Sequence, residues 1–211
     1  ISEKNISILN QTPAAFGQLI QIDRHKHIKL QSLRYVIFGG DQLKTEILKP
    51  WWKKHGDNNP QLVNMYGITE TTIHVTYGIL NQQTLTNNNS GFIGKQVQDL
   101  QIHLLDINLQ PTPIGTPGEL YIGGVGLARG YLNQEALTKE RFIDNPFATK
   151  EDIKKGYTKL YKTGDIVRYL PDGNIEYIGR NDFQVKIRGF RIELAEIESA
   201  LLNVEGISQS I

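Results

Sequence analysis

Apolar residues recur at helical spacing in two stretches of the first half. Across residues 13–22, Phe16, Leu19 and Ile20 share one face. Across residues 43–55, Leu43, Ile47, Leu48 and Trp51 form a stripe that ends at Gly56. Between them lie short apolar runs at residues 5–9 (NISIL), 33–38 (LRYVIF, stopped by Gly39-Gly40) and 62–66. Strand and helix patterns that alternate in this way predict an α/β layer on a mainly parallel sheet.

From Gly91 onward the pattern changes. Gly and Pro separate short strand-like runs: IHLLD, GELYIGG, IVRYL, NIEYIG and QVKIRGF. Pro171-Asp172-Gly173 between two of them is a hairpin signal. These runs predict a small β-barrel-like unit. A final helix is expected over residues 193–202, with Leu194, Ile197 and Leu201 on one face and Glu193 in its first turn. Residues 82–90 (QQTLTNNNS) read as a polar loop.

Composition narrows the function classes. The chain has 211 residues, 39% hydrophobic and 21% charged, with a formal net charge of +1. No global field favours nucleic acid, and no apolar run is long enough to span a bilayer, so neither partner is expected. There is no cysteine, which removes disulfides and thiolate chemistry from this chain. A start at Ile1 inside a strand-like pattern, and a stop just after a helix, read as a piece of a longer polypeptide in the cytoplasm.

Several apparent motifs dissolve on inspection. GFIGKQ has the wrong glycine spacing for a phosphate loop, and GVGLARG is one residue too long for a dinucleotide fingerprint. His25 and His27 alternate along a strand-like run without further metal-ligand partners. The segment NMYGITETT, residues 64–72, has two readings. Tyr66 at a strand end offers a flat face for a base, and Glu70 a hard oxygen for Mg²⁺. Alternatively, Thr69 is a helix N-cap with Glu70 in the first turn. Asp165 in TGD is either a ribose acceptor or a turn residue. The Pro171 hairpin brings Arg180 near it, either for a ligand or as a plain ion pair.

Taken together, NMYGITETT, GELYIGGVGLARGYL and residues 161–198 (YKTGDIVRYLPDGNIEYIGRNDFQVKIRGFRIELAEIE) resemble, in this order, the core motifs of adenylation domains of nonribosomal peptide synthetases. These belong to the adenylate-forming, AMP-binding superfamily. The ending QVKIRGFRIELAEIE is similar to the amino-acid-activating branch, whereas acyl-CoA ligases, the alternative within the superfamily, differ there. The other alternative is a non-catalytic nucleotide-binding or scaffold piece.

The resemblance implies an α/β adenylate-forming fold. Residues 1–181 would be the C-terminal part of the large subdomain, and residues 182–211 a hinge and the start of a small lid. It implies ATP and Mg²⁺ as cofactors, an amino acid as substrate, a carrier domain bearing phosphopantetheine, and a condensation domain in the same longer chain. Asp165 would bind the ribose, and Tyr177 and Arg180 would help hold the nucleotide. Tyr66 would stack on adenine, with Asn64 and Gly39-Gly40-Asp41 along its edge. Thr69 would contact phosphate, Glu70 would hold Mg²⁺, Asp182 would be the hinge, and Lys186 and Gly189 would belong to the moving segment. Asn10, Ile37, Gly39, Met65, Ile73 and His74 would line the amino-acid pocket. Their pattern is similar to that of threonine-activating domains, which usually carry Val where Ile73 stands. The family's phosphate loop, amine-binding aspartate and adenylation lysine have no match in this sequence, so the isolated chain is expected to be inactive.

Overall fold

The structure, a computed structural model, describes residues 1–24, 30–83, 91–187 and 189–210. The histidine pair at 25 and 27, and most of the polar loop at 84–90, lie outside the described residues.

The first strand, β1 (Ile8–Gln11), leads into helix α1 (Pro13–Arg24). The Thr12 hydroxyl accepts the Ala15 amide at 3.3 Å, and Pro13 supplies a backbone already suited to the first turn. Strand β2 (Tyr35–Phe38) follows. The stretch predicted as one helix over 43–55 divides. Thr45–Leu48 is a 3-10 turn, and α2 (Lys49–His55) begins where Pro50 can sit in the first turn. Lys53, Lys54 and His55 then face the negative end of α2 before Gly56 stops it. Strand β3 (Gln61–Tyr66) completes a parallel set in the order β1-β2-β3.

The remaining pairings are antiparallel. Strands β4 (Thr76–Leu80) and β5 (Phe92–Gln96) extend the sheet from β3. Strands β6 (Leu100–Leu105), β7 (Gly118–Gly124), β9 (Lys159–Tyr169) and β10 (Ile175–Arg180) form the second half. Short β8 (Phe142–Asp144) adds to β9. Because β10 also pairs with β5, both halves share one ten-stranded sheet. The mainly parallel expectation thus holds for three strands and gives way beyond β3, where each new strand returns antiparallel. Helix α3 (Glu135–Arg141) and helix α4 (Lys150–Lys155) break the β pattern. The second carries a capping box, in which Thr149 and Asp152 satisfy each other's backbone amides.

QVKIRGF is not one strand. It is a hairpin of β11 (Val185–Ile187) and β12 (Phe190–Ile192), separate from the large sheet. Helix α5 (Leu194–Leu202) starts one residue later than expected and has no buried residue.

One core lies between α1, α2 and the face of the parallel strands that carries Val36, Phe38 and Leu62. Phe16 meets Phe38 edge-on at 4.9 Å and Trp51 at 4.8 Å between ring centroids. Asp23 at the end of α1 accepts from Lys54 Nζ at 2.9 Å and lies 2.8 Å from His55 Nε2, which ties the two helices together. The opposite face of this part of the sheet leaves Ile8 and Tyr35 of the parallel strands, and Tyr77 and Ile79 of β4, exposed. A second core packs Ile102, Leu120, Ile122, Val167 and Ile175 under the antiparallel half.

The α1–α2 core predicts its own sensitivity. Phe16 is fully buried between two aromatic neighbours. Phe16→Ala is expected to cost about 3–5 kcal/mol, read as a lowered urea midpoint. A midpoint equal to wild type would show that this layer does not hold the fold.

Candidate functional site

β3 ends at Tyr66 beside the bend after β2, and the β9–β10 hairpin faces them. The cleft between them has a volume of about 410 Å³ and is lined by Gly40, Asp41, Asn64, Tyr66, Asp165 and Tyr177. Arg180, Asp182 and Lys186 close its other side, and Met65 also reaches it. Most of the nucleotide-binding residues expected from the sequence are therefore brought together, at the carboxyl end of the parallel strands.

Asp165 lies at the centre and is 2% exposed. Its Oδ1 accepts Arg180 Nη1 at 2.7 Å, and its Oδ2 accepts the Tyr66 hydroxyl. The plain Asp–Arg pair is thus present. A carboxylate has roughly four acceptor positions, so two stay available for further donors such as a diol. Burial pushes the Asp165 carboxyl above its ordinary range, with Arg180 and Tyr66 working against that rise. Burial, then the neighbouring Asp165, pushes the Tyr66 hydroxyl well up, so it stays protonated as a donor. The Tyr66 and Tyr177 ring centroids are 6.4 Å apart. Asn64 donates its amide to Phe92 O at 2.7 Å, which leaves its side-chain carbonyl for another partner.

Arg180 does more than face Asp165. Its Nε and Nη2 clasp Asp182 at 2.6 and 2.7 Å, and Nη2 also donates to Thr163 O at 3.1 Å. Gly164 has φ +77, and a Cβ there would lie 2.7 Å from both Arg180 Nη2 and Asp182 Oδ2. TGD is therefore not a turn but lies within β9, and glycine at position 164 suits both the left-handed φ and the close approach of this cluster. Burial raises the Asp182 carboxyl, but Arg180 outweighs it and holds it below the usual range. Lys186 is pulled below its ordinary value by burial, with Asp165 opposing.

Glu70 sits apart from this cleft, in a 3-10 turn of Thr69–Thr71. The N-cap position there is Ile68, with no side-chain cap, so the Thr69 N-cap reading fails. Thr69 itself is exposed. Glu70 Oε1 accepts Tyr131 Oη at 2.7 Å, Tyr161 Oη at 3.1 Å and Arg191 Nη1 at 2.7 Å. Oε2 is buried with no partner. Burial raises the Glu70 carboxyl, but the Tyr131 and Arg191 hydrogen bonds outweigh it and hold it below the usual range. An orphaned, ionised oxygen of this kind suits a hard cation completed by phosphate and water, the usual mode for Mg²⁺. No cluster of three or more His, Cys, Asp or Glu fit for a metal occurs among the described residues.

The amino-acid pocket residues are only partly assembled. Asn10 and Ile37 are register partners, and Met65 points to the same face two residues beyond Val63. A Cβ on Gly39 would lie 3.2 Å from His74 Nε2 and 3.6 Å from Met65 O, so these three positions converge. Burial lowers the His74 pKa, which keeps the ring neutral. Ile73 stands apart, 65% exposed, with a left-handed φ of 71 that β-branched residues avoid.

Tyr131, Tyr161 and Arg191 were absent from the sequence-derived site. All three lie inside the quoted motifs, but nothing in spacing shows that residues up to 121 positions apart meet at Glu70.

The AMP-binding enzyme family profile matches residues 1–132. The chain is 47% identical over its whole length to malpinin synthetase of Mortierella alpina and 50% identical over 95% of its length to a dimodular nonribosomal peptide synthase of Bacillus subtilis. It spans only 3% and 8% of those relatives. A solved structure of holo-PA1221, a nonribosomal peptide synthetase protein with adenylation and PCP domains, superposes with a TM-score of 0.86 at 30% identity, over 99% of this chain and 34% of that one. In the described residues no helix is long and apolar enough to cross a membrane. The family match over more than half of its length, with these relatives and this superposition, shows that the chain belongs to the AMP-binding enzyme family and has the fold of part of an adenylation domain.

Proposed function

We propose that the chain is the C-terminal part of the large subdomain and the start of the lid of an amino-acid adenylation domain in a nonribosomal peptide synthetase. The complete domain would activate L-threonine with ATP and pass it to the phosphopantetheine thiol of a carrier domain. The observation that carries this reading is the convergence of Asp165, Tyr66 and Arg180 in one cleft, with acceptor capacity left on Asp165. A solved neighbour that joins adenylation and PCP domains supports a carrier partner, and a condensation domain in the same longer chain belongs to this proposal. Dependence on ATP fits a cytoplasmic setting.

The residues divide the work. The free positions of Asp165 take the ribose hydroxyls, and Tyr66 and Tyr177 offer faces to the base. Asn64, Gly39, Gly40 and Asp41 line its edge. A substrate carboxylate oxygen attacks the α-phosphorus in line, and the bond to pyrophosphate breaks. Positioning and charge neutralisation supply most of the rate, since a carboxylate is already a nucleophile. Glu70 and Thr69 are the residues that would hold Mg²⁺ and phosphate, and the cation would neutralise phosphate charge. In the second half-reaction the thiol sulfur attacks the acyl carbon, AMP leaves, and the thiol proton passes to solvent. We assign Asp182 as the hinge, with residues 1–181 in the large subdomain and 182–211 in the lid, and Lys186 and Gly189 in the segment that moves.

Three outcomes test this in the intact protein. Losing a charge-assisted hydrogen bond costs about 1.5–3 kcal/mol, so Asp165→Ala is expected to raise the apparent KM for ATP by about ten- to a hundredfold. An unchanged KM would overturn the ribose assignment. At the hinge, Asp182→Pro fixes φ and removes the carboxylate that Arg180 clasps. It is expected to slow one half-reaction more than the other, and equal losses argue against a hinge.

The third outcome concerns the substrate. Ile37 and Met65 form an apolar wall, and His74 and Asn10 offer polar atoms to a hydroxyl. Pockets that pair with a substrate hydroxyl reject the isostere lacking it by up to about 10⁴–10⁵, so threonine is expected to exceed valine widely in pyrophosphate exchange. Serine lacks only the methyl and is rejected by about 1–3 kcal/mol. Gly39→Ala presses a methyl group on His74 and is expected to raise the KM for threonine. Preference for valine, or for an aromatic or charged amino acid, refutes threonine.

A further inference from the structure

We propose that Tyr131 and Tyr161 are positioning residues for Glu70, whose two hydroxyls hold one carboxylate oxygen so that the other is presented to the divalent cation. The inference rests on the reading of Glu70 as the metal seat and concerns what orients it.

The geometry separates the two oxygens of Glu70. Both tyrosine hydroxyls donate to Oε1, at 2.7 and 3.1 Å, and they lie 3.0 Å from each other. Oε2 receives nothing, although it is buried. A carboxylate placed only for packing would share its donors between both oxygens or turn toward water. Here the donors gather on one side and leave a charged lone-pair set directed elsewhere.

The clamp is held by packing and hydrogen bonds. Tyr161 belongs to β9 and is 1% exposed, and its ring packs on Phe142 with centroids 4.9 Å apart. Phe142 also meets Tyr131 edge-on at 5.7 Å. Tyr131 is held at its own backbone, where its amide donates to Thr138 Oγ1 at 2.9 Å. The turn carrying Glu70 is fastened to the same loop, since Ala128 N donates to Glu70 O at 2.8 Å. Burial raises both tyrosine hydroxyls, so they remain protonated donors at neutral pH.

The third donor on Oε1 differs in kind. Arg191 comes from the β11–β12 hairpin, beyond the proposed hinge, and is a cation. A positive guanidinium beside the metal seat disfavours a second positive charge there. The tyrosines orient the carboxylate without adding charge, so they assist a cation where Arg191 opposes it.

The test measures metal binding, not turnover. Mn²⁺ affinity is read by electron paramagnetic resonance on the intact protein with ATP present, for wild type, Glu70→Gln, Tyr131→Phe, Tyr161→Phe and Arg191→Gln. Loss of an outer partner of a metal ligand typically weakens metal binding about 10–100-fold, and each Tyr→Phe variant is expected to do so. Arg191→Gln is expected to leave Mn²⁺ affinity unchanged or higher. If Glu70→Gln weakens Mn²⁺ binding while both tyrosine variants stay within about twofold of wild type, well short of that range, positioning is refuted and the metal seat stands. If Glu70→Gln has no effect, the metal seat itself falls. A purely structural role would lower the thermal midpoint and metal-free AMP affinity of the tyrosine variants without a selective Mn²⁺ loss, and that result also overturns the proposal.

Discussion

The site depends on a buried ion pair across two strands. Asp165 on β9 and Arg180 on β10 are register partners, and their side chains meet at 2.7 Å with 3% and 9% exposure. Burying two charges is costly, and removing one partner of such a pair typically costs about 3–5 kcal/mol. The pair is retained here with further hydrogen bonds on both sides. Tyr66 also donates to Asp165, and Arg180 also donates to Asp182 and the Thr163 carbonyl. The proposed ribose acceptor and the proposed hinge are therefore two ends of one guanidinium. A change at either end alters the electrostatics at the other, without any longer path between them.

The fold brings this pair together by joining two kinds of sheet. Parallel strands β1 to β3 end at one level, and their bends carry Gly39-Gly40 and Tyr66. The antiparallel hairpin β9–β10 is attached through β5 and faces those ends. The cleft follows from that junction. Glu70 lies outside the cleft, hydrogen-bonded to Tyr161 of β9 and to Tyr131, so the proposed nucleotide site and the proposed metal ligand rest on separate supports.

The strand and helix patterns were legible wherever one face is buried. The short apolar runs at β2 and β3, and the Phe16–Ile20 stripe of α1, marked their elements because the core buries them. Helices α3 (EALTKER) and α4 (KEDIKK) carry too few apolar residues to form a stripe, whereas α5 showed its stripe although none of its residues is buried. For α4 the Thr149 capping box was the available signal. The hairpin at residues 185–192 resembled one strand because Gly189, at φ +84, makes its turn within an otherwise continuous β-like run. The cleft was legible through its motifs. The clamp on Glu70 was not, because hydroxyl donors from β9 and a distant loop are set by tertiary packing rather than by spacing.

The turn between Glu70 and His74 shows how backbone cost and site geometry are joined. Thr72 and Ile73 are both left-handed, at φ 59 and 71, an arrangement that costs of order 1–3 kcal/mol per residue. Both are β-branched, so local preference does not explain the shape. Its surroundings do. A Cβ on Gly67 would lie 2.0 Å from Ile73 O and 2.8 Å from His74 Cα, so the strand end and the turn are in direct backbone contact. Ile73 N donates to Ile68 O, and the Thr72 hydroxyl donates to Gly126 O at 2.7 Å. These contacts compress the three residues between Glu70, the proposed metal ligand, and His74, a proposed pocket residue. With a relaxed backbone the chain would travel further, and Glu70 could not remain under the tyrosines while His74 stays against Gly39. The strain is thus the cost of holding two ends of a short segment at two sites.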